Sequence, residues 1–143
     1  MADSLARLLA VQAPDTHRVS LLVDYAWEIN ESKTQEATVR LWEAVALAQK
    51  LKFSKGESAA WNGLGVTHEI LDSIPQAIEY YQKALAIREG LKDQKGIAAQ
   101  HNNLGNVYEM LGDYEKALTE RRESLRIVEE LGDSVRIARA HLN

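Results

Sequence analysis

The feature that most constrains this chain is a repeat of fixed stride. Residues 58–97 laid over 98–137 without a gap share thirteen identities: Ala59/Ala99, Asn62/Asn102, Leu64/Leu104, Gly65/Gly105, Glu69/Glu109, Leu71/Leu111, Ala77/Ala117, Leu85/Leu125, Ile87/Ile127, Glu89/Glu129, Leu91/Leu131, Asp93/Asp133 and Ile97/Ile137, each 40 residues apart. A more diverged copy lies upstream, where Ala37, Ala44, Val45, Leu47 and Leu51 stand 40 before Ala77, Ala84, Leu85, Ile87 and Leu91. Its first half fits if Ala26 takes the place of Gly65, with a turn one residue shorter. A fourth copy opens at Ile137, where 137–143 aligns with 97–103. A constant stride means that each copy is one supersecondary unit, whose apolar face is buried only against its neighbours.

Inside a copy the apolar spacing is helical. Leu104, Val107, Tyr108 and Leu111 follow i, i+3, i+4, i+7, one face of a first helix. Tyr114, Ala117, Leu118, Leu125 and Val128 mark a second. Gly112-Asp113 between them supplies a stop and then a capping acceptor. Ser54-Lys55-Gly56-Glu57 and Ser73-Ile74-Pro75-Gln76 read as capping boxes, and Asp93 and Asp133 as caps at equivalent points. Two prolines and eight glycines in 143 residues leave little turn material for a β architecture. The expectation is an all-α fold of stacked helical hairpins. A capping helix lies in 1–16, carrying Leu5, Leu8 and Leu9. Repeats follow at 17–57, 58–97 and 98–137, and the start of a fourth at 138–143.

The run Trp61-Asn62-Gly63-Leu64-Gly65 with His68, Ala77, Tyr81 and Ala84 resembles the tetratricopeptide repeat signature. So does Leu104-Gly105 with Tyr108, Gly112-Asp113-Tyr114, Ala117 and Leu125. The 40-residue stride exceeds the more usual period of about 34. In this it is similar to kinesin light chains, to the Leu-Gly-Asn-repeat spindle adaptors, and to helical sensor modules of bacterial signalling proteins. Asp24-Tyr25-Ala26-Trp27-Glu28-Ile29 is most similar to the opening repeat of those bacterial modules. The resemblance covers about 17–143 and implies a right-handed α-solenoid that binds proteins and catalyses nothing. It also implies that first helices line a concave groove, to which Asn62, Val66, Glu69, Asn102, Asn103, Asn106 and Glu109 would contribute, with Arg139 from the fourth copy. Side-chain amides both donate and accept, which suits the backbone of an extended peptide. Asn102, Val66 and Val23 stand where the carboxylate-clamp subfamily keeps other residues, so the resemblance does not extend to that clamp. Arg121 and Ser124 depart from the signature, making the third copy's second helix more polar.

Other chemistries find little support. A net charge of −4, with Arg121-Arg122 flanked by Glu120 and Glu123, offers no basic stripe for nucleic acid. No cysteine is present, which removes thiolate chemistry. His101 and His141 are one stride apart but lack companion ligands at i+3 or i+4, so no metal or other cofactor is expected. Glu28, Glu31, Glu69 and Glu109 do not form a catalytic pair, since the last two recur simply as repeat equivalents. Asn62-Gly63-Leu64-Gly65 lies within a helical period, without the strand a phosphate loop needs. Trp27, Trp42 and Trp61 are read as core or inter-repeat filler. The N-terminus has neither the basic start nor the apolar centre of a signal peptide, no window suits a membrane span, and the compartment is cytoplasmic only by default. The reading is a protein- or peptide-binding scaffold, the docking part of a larger signalling protein. Self-association as a homodimer through the open C-terminal end is the alternative.

Overall fold

Seven helices follow one another in the computed structural model, which describes residues 1–142: α1 (Ala2–Val11), α2 (Thr16–Ile29), α3 (Thr34–Leu51), α4 (Ser54–Ile70), α5 (Ile74–Gly90), α6 (Gln94–Met110) and α7 (Tyr114–Leu142). They form an all-α stack of hairpins, α2/α3, α4/α5 and α6/α7, each leaning on the next. The stride is visible in the helix starts: Thr34, Ile74 and Tyr114 are 40 apart, as are Ser54 and Gln94.

The turns carry half that stride. Lys52, Asp72, Lys92 and Gly112 all have positive φ, between 53° and 77°, one every 20 residues. At each, the next residue's N–H reaches back five positions: Phe53 to Ala48 O, Ser73 to His68 O, Asp93 to Arg88 O and Asp113 to Tyr108 O, at 2.7–3.0 Å. These bonds satisfy carbonyls that a helix end would leave orphaned. Three of the four left-handed residues are not glycine, so the stop is carried by the hydrogen-bond pattern and the packing beyond it.

Two expected caps form: Asp93 Oδ1 accepts from Gly96 N–H at 3.1 Å and Asp113 Oδ1 from Lys116 N–H at 3.2 Å. The two capping boxes do not. Phe53 holds the N-cap of α4, its carbonyl accepting from Glu57 N–H at 2.9 Å, so Ser54 is already the first helical residue. Glu57 accepts instead from Trp61 Nε1 at 2.9 Å. Ser73 stands at the N-cap of α5 without a side-chain bond.

The turn expected at Gly132-Asp133 is also absent, and α7 runs on for 29 residues. At the equivalent Lys92-Asp93, reversing the chain buries Ile97 and Ala98. Ile137, one stride on, is 59% exposed and finds no such surface. Local helix preference then decides, aided by ion pairs from Arg126 to Glu123 and Glu130 and from Arg136 to Asp133. Arg139 therefore sits on α7 rather than on a fourth first helix, and Asn143, the end of the fourth copy, lies outside the described residues.

Burial thins along the stack. The largest apolar cluster joins α1 to α5 through Leu22, Leu41, Ala44, Leu64 and Ala84; a second gathers Ile74, Ala77, Tyr81, Leu104 and Val107; a third holds only Ile97, Ala98 and Ile127 at its centre. Trp42, Trp61 and Tyr80 tie α3, α4 and α5 together, edge-on at 5.4 and 5.7 Å and stacked at 5.6 Å. Helix α1 covers the other end with Leu9 and Leu5, while Leu8 stays exposed. Arg18 fastens it, donating to Leu9 O at 2.6 Å and Gln12 O at 3.1 Å and pairing with Glu43 at 2.9 Å.

Candidate peptide-binding cleft

One three-residue arrangement recurs in every hairpin. In the second, Gly65 lets the Tyr81 ring lie against the backbone of α4, where any Cβ would collide with it. Held there, the Tyr81 hydroxyl donates to Glu69. Burial first, and then this bond to a carboxylate, push the Tyr81 hydroxyl far above its ordinary range. Forty residues on, Gly105 faces Arg121, whose guanidinium donates to Glu109 and, at 3.1 Å, to Asn106 Oδ1.

The first hairpin keeps the geometry and loses the donor. There Ala26, Leu41 and Asn30 occupy the corresponding places, one residue being absent from the turn. Leucine has nothing to donate. Asn30 is only 6% exposed, and its Oδ1 has no hydrogen-bond partner among the described residues. A buried acceptor left unpaired costs about 1–3 kcal/mol, so Asn30 is a position where stability is given up.

Asn30 lies in the wall of a cleft of about 480 Å³ between α2 and α4, lined also by Trp27, Glu28, Glu31, Ser32, Val66 and Ile70. Trp27 and Ile70 are each 46% exposed. Trp27 and Val66 are equivalent positions on adjacent first helices, so they face one space from either side. Glu28 and Glu31 supply charge, and neither forms an ion pair among the described residues.

Of the eight residues expected in the groove, Val66 is the one that lines this cleft. Asn62 Oδ1 accepts from Gln100 Nε2 at 2.6 Å and Asn103 Nδ2 at 3.0 Å, joining α4 to α6. Glu69, Asn106 and Glu109 take their bonds within their own hairpins, as above. Asn102 opens onto the far side of the last hairpin, beside Ala98, Ala99, Ser124, Val128 and Leu131 in a hollow of about 370 Å³. Arg139 is exposed on α7 beside Asp133 and Val135. Trp27, read as filler, is half exposed in the cleft instead. It and Asn30 could have been found by carrying the offset of Val66 and Glu69 back into the first copy. His101 packs against α7, with Nδ1 2.5 Å from Glu120. Among the described residues no group of three or more His, Asp or Glu could hold a metal ion, and no helix is long and apolar enough to cross a membrane.

Stacked hairpins with an open cleft between first helices are the architecture of a helical-repeat scaffold for protein interaction. The tetratricopeptide repeat family model matches residues 58–90, and the stack as a whole has the fold of solved tetratricopeptide-repeat structures. The crystal structure of BtubC (BKLC) from P. vanneervenii superposes with a TM-score of 0.83 at 23% identity, over 92% of this chain and 56% of that one. The TPR domain of Arabidopsis FLU superposes at 0.72 and 25% identity, over 78% of this chain and 95% of that one; for MamA the values are 0.71, 20%, 92% and 69%. The chain thus spans little more than half the length of BtubC. No curated protein matches its sequence.

Proposed function

We propose that this chain is a non-enzymatic scaffold that seats an extended peptide from a partner protein between its first helices. The observation that carries the reading is the α2/α4 cleft, where a half-exposed tryptophan stands with Val66 and Ile70 around one open space, and Asn30, whose amide oxygen is buried and unpaired, lies in its wall. Repeat proteins use such surfaces for binding, and an exposed aromatic beside aliphatic neighbours is the usual anchor of a protein contact. Peptides selected from a random display library on the full chain should lose binding, by tenfold or more, to Trp27→Ala and Val66→Asp. Selected peptides that bind both variants undiminished would refute the reading.

A second reading, self-association, is favoured by α7. Leu118, Leu125, Val128 and Val135 are about half exposed, at spacings of 7, 3 and 7 along one helix, a seam suited to another helix. Light scattering of the full chain at high concentration tests it: a mass twice 16.0 kDa supports the seam, and a monomer throughout rules it out.

A further inference from the structure

The cleft also says what kind of peptide it suits. Its apolar surface is Trp27, Val66 and Ile70, and its charged side chains are Glu28 and Glu31. Asp24, exposed one turn before Glu28 on α2, extends the acidic row. Among the described residues no basic side chain lines the space. The one unpaired buried polar atom of its wall is an acceptor, Asn30 Oδ1, closed to solvent in this structure; the equivalent Glu69 and Glu109 accept from Tyr81 and Arg121, whereas Leu41, in the donor's place here, donates nothing. Asn30 packs there against Ala26, Trp27, Leu41 and Gly63, with no room for a water between them. Trp27 belongs to that packing and to the cleft wall, so a turn of its half-exposed ring is what would open Asn30 Oδ1 to the cleft.

Resting on the proposed function above, we infer that the cleft takes a basic–apolar peptide segment in which a leucine-like side chain alternates with lysine or arginine. The apolar group lies between Trp27, Val66 and Ile70. The cation sits beside Glu28 and Glu31. With the Trp27 ring turned aside, a peptide N–H donates to Asn30 Oδ1, supplying from outside the bond that the other hairpins make internally. The acidic row selects against acidic partners by leaving their carboxylates beside like charge.

Calorimetric titration of the full chain with three capped peptides of equal length tests this, one alternating leucine with lysine, one with glutamate, one with serine. The lysine peptide should bind tightest, and more weakly as salt rises. Its affinity should fall about threefold with each of Glu28→Gln and Glu31→Gln. Trp27→Ala should abolish binding. Asn30→Leu should weaken binding by tenfold or more while raising the melting temperature, because it removes an unpaired buried acceptor. Unchanged binding to Asn30→Leu overturns the bond to Asn30. A glutamate peptide that binds as tightly as the lysine peptide, and loses binding to Trp27→Ala, overturns the basic partner and leaves the cleft as a peptide site. If none of the three binds, the peptide site itself is refuted.

Discussion

Gly65, Tyr81 and Glu69 set the pattern against which the other two hairpins differ. The glycine is required here for closeness, since its backbone angles are ordinary and only the Tyr81 ring excludes a side chain. Gly65→Ala should therefore destabilise the chain by about 1–3 kcal/mol, the usual cost of overpacking, read by urea unfolding. Tyr81 also gives the protein an alkaline limit. Its hydroxyl is held protonated in the folded state by burial and by Glu69, so its pKa rises on folding. The stability it confers is complete below the ordinary tyrosine value of 10.0 and is lost progressively as pH climbs above it. Tyr25 and Tyr80 are shifted upward too. Melting temperature should thus fall above about pH 10, and Tyr81→Phe should make that fall shallower.

At the scale of elements, the hairpins were legible because their stride is regular and their apolar positions follow a helical period. Gly112 announced its turn, and Lys52, Asp72 and Lys92 did not, because their left-handed angles are imposed by bonds reaching five residues back. The end of the third hairpin misled for a related reason. Leu131-Gly132-Asp133 matches the residues of a turn, but reversal is driven by the apolar surface buried beyond it, which a local motif does not report. This gives a pair of opposite expectations for one substitution. Gly112→Ala should cost about 1–2 kcal/mol, since the left-handed angle is strained for any residue with a Cβ. Gly132→Ala should gain up to about 1 kcal/mol, since the glycine sits inside a helix with open space around it. If Gly132 ended a helix, as its sequence suggests, both would destabilise.

Across the whole molecule, stability passes from neighbour to neighbour. Asn62 bridges to Gln100 and Asn103 at the junction of the second and third hairpins. Asn62→Ala should leave the Gln100 amide buried and unpaired, cost about 1–3 kcal/mol, and speed hydrogen exchange in α6 and α7 more than in α2 and α3. The candidate site was only partly legible for the same reason. Repeat logic pointed to first-helix positions, yet Asn62 and Asn103 are spent on joining α4 to α6 and Asn106 on a bond within its own hairpin. The unpaired acceptor arises where the internal donor is missing, a relation among Ala26, Asn30 and Leu41 that appears once the helices are paired. The most direct test is an NMR titration of the isotope-labelled full chain with the leucine–lysine peptide. Shifts should concentrate at the Trp27 indole, the Asn30 side-chain amide, Val66 and Ile70. Shifts confined to α7 or to the hollow around Asn102, with those four unmoved, would contradict the α2/α4 cleft as the binding face.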